Sequence, residues 1–150
     1  MTTVTGLEGI RALAGQDLGT GDWMQMTQER INAFADATGD DQWIHVDVER
    51  AKNGPFGTTI AHGFLTLSLI PTLSRGTTRI EGVRMAINYG LNRVRFPAPV
   101  RVGARIRAKV KNLSIVDVED GVHVVNEVTV EIEGEAKPAC VAELLLRLLR

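Results

Sequence analysis

The chain lacks most of the features that would assign it at once to a specialised class of protein. Its 150 residues include one cysteine, Cys140, so no intramolecular disulfide can form, and no Cys-x-x-Cys pattern indicates a zinc or redox site. The formal net charge is -1, which gives no sign of binding to nucleic acid or to an anionic membrane. A single cysteine is typical of a reducing compartment, so we expect a cytoplasmic location.

Long apolar segments are absent as well. The longest one, from Phe64 to Ile70, falls far below the roughly 20 residues that a helix needs to cross a bilayer. The N-terminal segment, Met1 to Gly6, lacks the basic region and apolar run of a signal peptide. These absences predict a soluble protein that has no membrane partner.

The common nucleotide-binding, nucleophile and metalloprotease motifs are also missing. The chain has no GxGxxG, no phosphate-binding GxxxxGK[ST] loop, no GxSxG and no HExxH. Cys140 lies between Ala139 and Val141 in a strand-like segment. A buried cysteine in such a segment usually packs as a small hydrophobic residue, so we do not expect a nucleophile there.

The order of periodic segments predicts one α+β domain over residues 1–150. The first half reads as helical and the second as strands, which favours an antiparallel sheet packed against a helix. A first helix is predicted over residues 27–37, with Thr27 as its cap and Gly39 as its stop. Residues 40–59 are predicted to be an irregular loop, because Gly54-Pro55 and Gly57 interrupt the pattern.

A second helix, predicted over residues 61–73, is apolar nearly all round. Such a helix needs other structure on every side, so we expect the sheet to wrap around it. The predicted strands lie at 85–96, broken near Gly90, then from 105 with a bulge near Asn112, and at 122–132 and 139–148. Glu119-Asp120-Gly121 is a hairpin turn signal.

The stretch from Gly39 to His45, GDDQWIH, carries the clearest indication of chemistry. In a helix the side chains of Asp40 and His45 would point away from each other, whereas in a loop they can converge on one water molecule. A carboxylate and a neutral imidazole can orient that water, take its proton and return a proton elsewhere. The alternative interpretation is a solvated acidic loop with a surface histidine.

A second stretch, from Ile60 to Thr66, reads IAHGFLT. Gly63 falls in the first turn of the apolar helix, where its backbone amide has no helical partner and could hold a carbonyl oxygen that gains negative charge. The alternative is close packing of the helix end. We interpret His62 as a solvated or capping residue, His123 as a sheet-surface residue, and the basic row from Arg105 to Lys111 as a solvated sheet face rather than a phosphate site.

Together these stretches resemble the MaoC-like dehydratases, the (R)-specific enoyl-CoA hydratase group of hot-dog enzymes. That family has a Gly-Asp-x-Asn-Pro-x-His pattern after a helix and an Ala-x-Gly segment that opens the central helix. A third match is the segment from Asn88 to Val100, NYGLNRVRFPAPV. The GDDQWIH version, with Gln42 and Trp43 in place of Asn and Pro, is similar to the nodulation protein N-like subgroup.

The resemblance implies a hot-dog fold, in which a curled sheet surrounds a central helix. It also implies a lyase that reversibly adds water to a trans-2-enoyl thioester to give an (R)-3-hydroxyacyl thioester. Asp40 and His45 would hold the catalytic water, and the Gly63 amide would form the oxyanion hole. Neither a metal nor a separate cofactor is implied, because coenzyme A, or acyl carrier protein, arrives with the substrate. A homodimer is expected.

Two other functions are compatible with the same resemblance. A hot-dog thioesterase would use the same fold and substrate class but would attack the carbonyl carbon and release a free thiol. A non-catalytic acyl-CoA-binding subunit would need an active partner chain. The presence of both Asp40 and His45 favours an active hydratase.

Overall fold

The computed structural model describes residues 1–150 and contains six helices and eight strands. The helices are α1 (Gly6–Arg11), α2 (Gln28–Thr38), α3 (Trp43–Val46), α4 (Val48–Lys52), α5 (Gly63–Ser68) and α6 (Ile70–Leu73). The strands are β1 (Thr2–Thr5), β2 (Asp17–Thr20), β3 (Met24–Gln25), β4 (Thr78–Glu81), β5 (Met85–Arg95), β6 (Arg105–Val118), β7 (Gly121–Ile132) and β8 (Cys140–Leu149). None of the helices is long and apolar enough to cross a membrane.

The main sheet has six antiparallel strands. Its order is β2-β6-β7-β8-β5, and β3 pairs with a different part of β6 on the same side as β2. The short strands β1 and β4 form a separate parallel pair. One edge of the main sheet is therefore the long strand β5, and the other consists of the short strands β2 and β3.

The central helical segment α5–α6 packs against the inner face of this sheet, as the hot-dog arrangement requires. Leu65, Leu69, Ile70 and Leu73 from the helices share one core cluster with inward residues of the sheet: Ile106, Ala108, Val110, Val128, Val130 and Ala142. Burial of one such aliphatic side chain stabilises the fold by about 1.5 to 3 kcal/mol. The α+β prediction is confirmed.

The prediction of one continuous helix over residues 61–73 is wrong in two respects, its starting residue and its lack of a break. The helix begins at Gly63 and is interrupted at Leu69, so that α5 and α6 are separate short segments. Pro71 has no backbone N–H and cannot donate to the carbonyl of Leu67, which explains the interruption. Thr59 to Ala61 are instead extended: Ile60 forms a bridge with Arg101, and the Ala61 amide donates to the Val100 carbonyl at 2.8 Å.

The strand predictions for the second half are confirmed in their main features. The pairing of β6 with β7 shifts between Asn112 and Ser114, which places the predicted bulge at Leu113. Asp120, with φ of 62°, forms the hairpin turn between these strands. The pairing of β5 with β8 also shifts beside Gly90, so β5 bulges there but is not broken.

The first half contains more strand, and residues 40–59 more helix, than predicted. The missed strands β1 to β4 are two to four residues long and largely polar, so they carry no clear alternation. The segment predicted as an irregular loop holds α3 and α4. Asp47 caps α4 by accepting a hydrogen bond from the Arg50 amide at 3.0 Å.

A cavity of about 460 Å³ separates two parts of the core. On one side lies the central cluster, represented by Ile70 and Val128, and on the other a smaller cluster that includes Ile10, Val124 and Leu148. The lining is mainly apolar. This cavity lies at the α6 end of the central helical segment.

Candidate active site

Asp40 is placed by the C-terminal end of α2. Thr27 caps the start of this helix by accepting a hydrogen bond from the Arg30 amide at 3.2 Å, and Gly39 ends it with φ of 79°. A left-handed residue at this position favours glycine, since it has no Cβ to clash with the backbone. After this turn Asp40 lies at the surface and its side chain is exposed.

His45 lies in the short helix α3 and is held from two directions. Its backbone carbonyl accepts a hydrogen bond from Gln28 Nε2 at 2.8 Å, and Gln28 Oε1 in turn accepts one from the hydroxyl of buried Thr59 at 2.6 Å. The amide of Ile60 donates to the carbonyl of Ile44 at 3.0 Å. These bonds tie α3 to α2 and to the extended segment before α5.

The ring of His45 is buried and its tautomer is fixed by one hydrogen bond. Nδ1 lies 2.7 Å from the carbonyl oxygen of Ile60, so Nδ1 carries the proton and donates it to that oxygen. Nε2 is then left as a lone pair. A neutral imidazole with a free Nε2 is a suitable acceptor for a proton from water.

The interpretation of His62 as a solvated or capping residue is wrong. It is 2% exposed and makes no capping hydrogen bond, although it directly precedes α5. Its Nε2 lies 2.8 Å from the backbone carbonyl oxygen of Asp40, and its ring stacks on His45 with a centroid separation of 3.8 Å and an interplanar angle of 23°. The motif Ala-His-Gly gave no indication of this contact, because it depends on the path of residues 40–62.

Asp40, His45 and His62 therefore form one group, which we call the catalytic cluster after the two residues that the sequence predicts to be catalytic. Each can offer one ligand atom, and these atoms all lie within 4.8 Å of one another. Two imidazoles and a carboxylate are also a set that binds metals such as iron or zinc. One nitrogen of each ring is already engaged, because His45 Nδ1 and His62 Nε2 each lie within hydrogen-bond distance of a backbone carbonyl oxygen, and the other nitrogen of each ring has no protein partner.

Gly63 lies beside this cluster as the first residue of α5. Its amide precedes the helical hydrogen-bond pattern and makes no backbone hydrogen bond outside it. A Cβ at this position would lie 3.0 Å from a ring carbon of Phe96, so any other residue would require the Phe96 ring to shift by a few tenths of an ångström. The amide is thus a free donor at the edge of the cluster.

Comparison with known proteins agrees with this geometry. Residues 10–134 match the family described as the MaoC like domain. The chain belongs to the MaoC-like dehydratase family. The sequence-based resemblance is thereby confirmed.

Two relatives of this MaoC-like chain match it over nearly their whole length. It is 55% identical over 148 residues to 3-hydroxyacyl-thioester dehydratase Z of Mycobacterium tuberculosis (strain ATCC 25618 / H37Rv), covering 98% of each chain. It is 46% identical over 140 residues to Nodulation protein N of Rhizobium leguminosarum bv. viciae, covering 91% of this chain and 86% of the relative. The similarity to the nodulation protein N-like subgroup is also confirmed.

A solved structure confirms the hot-dog fold of this MaoC-like chain. It is described as the monoamine oxidase regulatory protein from Archaeoglobus fulgius, and it superposes with a TM-score of 0.79 at 28% identity. The match covers 99% of this chain and 95% of the other.

Other reactive side chains of the MaoC-like chain have structural explanations. Cys140 is fully buried, and burial raises the pKa of its thiol to about 11, so it stays protonated and is not a nucleophile. Arg105 and Arg107 form ion pairs of 2.9 and 2.8 Å with Glu133 and Glu131 across the sheet. This pairing supports the prediction that the basic row is a solvated sheet face.

His123 points to the outer face of β7, as predicted, but it is half-buried. Its ring centroid lies 4.7 Å from that of Tyr89, which is on the edge strand β5. No carboxylate accompanies it there as Asp40 accompanies His45. The catalytic cluster therefore remains the group of titratable side chains best arranged for proton transfer.

Proposed function

We propose that this protein is an (R)-specific 3-hydroxyacyl-thioester dehydratase, which also adds water to trans-2-enoyl thioesters in the reverse direction. The observation that carries the proposal is the placement of a ring nitrogen of His45 within 4.8 Å of the Asp40 carboxylate, with His45 Nε2 free of a protein partner and the unpaired Gly63 amide nearby. The 55% identity to a 3-hydroxyacyl-thioester dehydratase supports the same substrate class.

In the hydration direction, His45 and Asp40 hold a water molecule over C3 of the enoyl group. His45 Nε2 takes a proton from this water as its oxygen bonds to C3. The electron pair of the double bond moves through C2 to the thioester carbonyl, and the Gly63 amide stabilises the resulting enolate oxygen. The proton on His45 then returns to C2, which completes the addition. Dehydration follows the same steps in reverse.

The carboxylate of Asp40 has a distinct part in this scheme. When His45 becomes an imidazolium, the nearby negative charge stabilises it, since opposite charges a few ångströms apart attract each other. Asp40 also accepts a hydrogen bond from the water and so fixes its direction of attack. The scheme needs no metal ion and no redox cofactor, and coenzyme A or acyl carrier protein arrives as part of the substrate.

The cavity between the two core clusters offers room for the acyl chain. It contains neither Asp40 nor His45, but it lies at the α6 end of the segment whose other end carries Gly63. A helical rise of about 1.5 Å per residue separates Gly63 from Ile70 by roughly 10 Å, which an acyl chain can span. A second hollow of about 280 Å³ shares Ile70 and Pro71 with the cavity and is also lined by Leu67 and Tyr89.

We also propose that the protein is a homodimer in the cytoplasm. Strand β5 is an 11-residue sheet edge that pairs only on its β8 side, and an unpaired edge of this length invites a second strand. Large apolar side chains are exposed on or near it: Phe64, Met85, Tyr89, Leu91 and Phe96. A second copy that pairs β5 with β5 would cover them. The free thiol of Cys140 fits a reducing compartment.

The activity is tested with purified protein on a panel of trans-2-enoyl-CoA substrates from four carbons upward. We expect loss of enoyl absorbance and formation of the (R)-3-hydroxyacyl-CoA, identified by chiral analysis, with no release of free thiol. Dialysis against a chelator should leave the rate unchanged. Thiol release without hydration would indicate a thioesterase, and an inactive single chain would indicate a binding subunit.

The dimer is tested by light scattering coupled to gel filtration. We expect twice the mass of the chain. Replacing Leu91 on β5 with Lys should shift the protein towards a monomer, whereas the same change at Val116, an exposed residue on β6, should not. A fully active monomer of the unaltered chain would contradict this part of the proposal.

A further inference from the structure

We infer that His62 is a positioning residue of the catalytic cluster: as the Nε2–H tautomer, it holds the backbone of Asp40 and supports the ring of His45. The inference rests on the proposed function and deepens it. In this role His62 does not exchange a proton with the substrate.

The hydrogen bond to Asp40 fixes which nitrogen of His62 carries the proton. Nε2 lies 2.8 Å from the Asp40 carbonyl oxygen, and two acceptors at this distance would repel each other, so Nε2 must be the donor. Nδ1 is then a lone pair. It is buried without a hydrogen-bond partner, so a proton there would be an unpaired buried N–H, which is costly.

This bond compensates for a weakness in the position of Asp40. The residue follows the left-handed Gly39 at the end of α2, and its own amide makes only a long contact of 3.4 Å with the Thr38 hydroxyl. Its side chain makes no hydrogen bond with another residue and is exposed to solvent. Among these contacts, the bond from His62 is the short one that connects Asp40 to the buried part of the protein.

The second contact of His62 acts on His45. The two rings stack at 3.8 Å, and on another side the ring of His62 lies 4.8 Å from that of Phe34 on α2. His62 is therefore packed between α2 and the histidine of α3. Together with the bond from His45 Nδ1 to Ile60, this packing limits rotation of the His45 ring and keeps Nε2 directed at the water site.

One side chain thus contacts both members of the proposed acid–base pair through different atoms. Its N–H sets the position of Asp40, and its ring face sets the position of His45. Displacement of a reacting group by about 1 Å can lower a rate about a hundredfold. We therefore expect loss of these contacts to reduce kcat while KM for the thioester changes little.

The donor is tested with two side chains of similar length, His62→Gln and His62→Met. Gln keeps an N–H near the position of Nε2, whereas Met has none. We expect kcat on crotonyl-CoA to fall about three- to fivefold for Gln and at least about thirtyfold for Met, with KM within about twofold in both. His62→Phe, which keeps the ring and removes the donor, should fall between these two variants.

His45→Gln and Asp40→Asn separate failure of the inference from failure of the proposed function. If either variant keeps near-normal kcat, the proposed function is wrong. If both lose activity but His62→Met keeps its kcat, the positioning role is wrong. Equal losses for Gln and Met, or an effect on KM alone, would also overturn it.

A measurement on the unaltered protein covers the case in which His62→Met does not fold. The ¹⁵N chemical shifts of the imidazole nitrogens distinguish protonated from unprotonated positions. At neutral pH we expect His62 protonated at Nε2 and His45 protonated at Nδ1. The opposite tautomer of His62, or a metal-shifted resonance that a chelator reverses, would contradict the inference.

Discussion

The two histidines of the catalytic cluster and the asparagine pair of the sheet are all buried polar side chains, but they differ in how many of their polar atoms have a hydrogen-bond partner. Asn112 on β6 faces Asn126 on β7, and both are buried. Asn112 Oδ1 accepts from the Gly15 amide at 3.0 Å, and Nδ2 donates to Asn126 Oδ1 at 2.9 Å. In the catalytic cluster, by contrast, His45 Nε2, His62 Nδ1 and the Asp40 carboxylate lack protein partners.

The positions of the two groups explain this difference. Asn112 stands at the β6 bulge, where its Nδ2 also donates to the carbonyls of Ser114 and Val125 at 3.3 and 3.2 Å, so it completes hydrogen bonds that the shifted register leaves open. Its polar atoms stabilise the fold. The histidines carry one structural hydrogen bond each and keep one nitrogen free. A buried polar atom without a protein partner is rare in folded proteins, and a catalytic role is one explanation for it.

The largest expected effect concerns Asp40. Asn at this position keeps the size of the side chain but cannot carry the negative charge that stabilises a protonated His45. We expect Asp40→Asn to lower kcat on crotonyl-CoA about a hundredfold or more, with KM and the melting temperature nearly unchanged. Steady-state kinetics and thermal melts measure these quantities.

Asp41 provides the matched control for this prediction. It is the next residue in the same turn, is also exposed and has the same formal charge. Asp41→Asn should change kcat by less than about threefold if position rather than general negative charge matters. A folded Asp40→Asn enzyme with near-normal kcat, or equal losses in both variants, would refute the assignment and remove the contrast between the two polar groups.

The second prediction concerns Asn112, where we expect a substitution to lower stability and to leave activity nearly unchanged. Asn112→Leu leaves the Gly15 amide and Asn126 Oδ1 without their partner, so we expect unfolding free energy to fall by about 2 to 3 kcal/mol. Asn112 also lines the cavity proposed for the acyl chain, so activity is compared on crotonyl-CoA, whose short chain makes the least use of that cavity, and the folded fraction should keep its kcat there within about twofold. Urea denaturation and activity below the transition provide the two readouts.

An exposed asparagine serves as the reference for this loss. Asn53 at the end of α4 makes no side-chain hydrogen bond with another residue, so Asn53→Leu should change stability by less than about 0.5 kcal/mol. If Asn112→Leu is equally mild, the pair does not stabilise the bulge. If it lowers kcat on crotonyl-CoA instead, the asparagine pair or the cavity that it lines affects the catalytic cluster.

The smallest expected effect concerns Cys140, a buried group that belongs to neither arrangement. Burial raises the pKa of its thiol from 9.0 to about 11, so above pH 9 the unfolded chain releases a proton that the folded chain retains. Its contribution to stability is therefore complete below pH 9 and declines as the pH rises towards 11.

Cys140→Ala removes this titration. The variant should show a weaker decline of stability between pH 9 and 11 than the unaltered protein, and unchanged kcat at neutral pH. Denaturation at several pH values measures the slope. Rapid reaction of native Cys140 with a thiol reagent at pH 8, or a large loss of activity in the variant, would show that the thiol is accessible or functional.

Local patterns in the sequence determined a large part of this protein. The cap at Thr27 and the stop at Gly39 bound α2, alternation located β6 to β8, and the change of apolar parity after Asn112 located the bulge. These features depend on interactions between residues close in the chain or on one strand pair. The family motif predicted Asp40 and His45 as the catalytic pair on the same local basis, since they lie in one short segment.

Only the tertiary structure decided the place of His62 and the break in the central helix. His62 is distant in sequence from the Asp40 carbonyl and from Phe34, and its contacts arise when Thr59 to Ala61 form extended hydrogen bonds with Ile44 and Val100. The periodicity of apolar residues does not predict such long-range contacts. An apolar pattern is the same whether a helix is continuous or interrupted, so it could not predict the break between α5 and α6. Packing and the missing N–H of Pro71 cause that break.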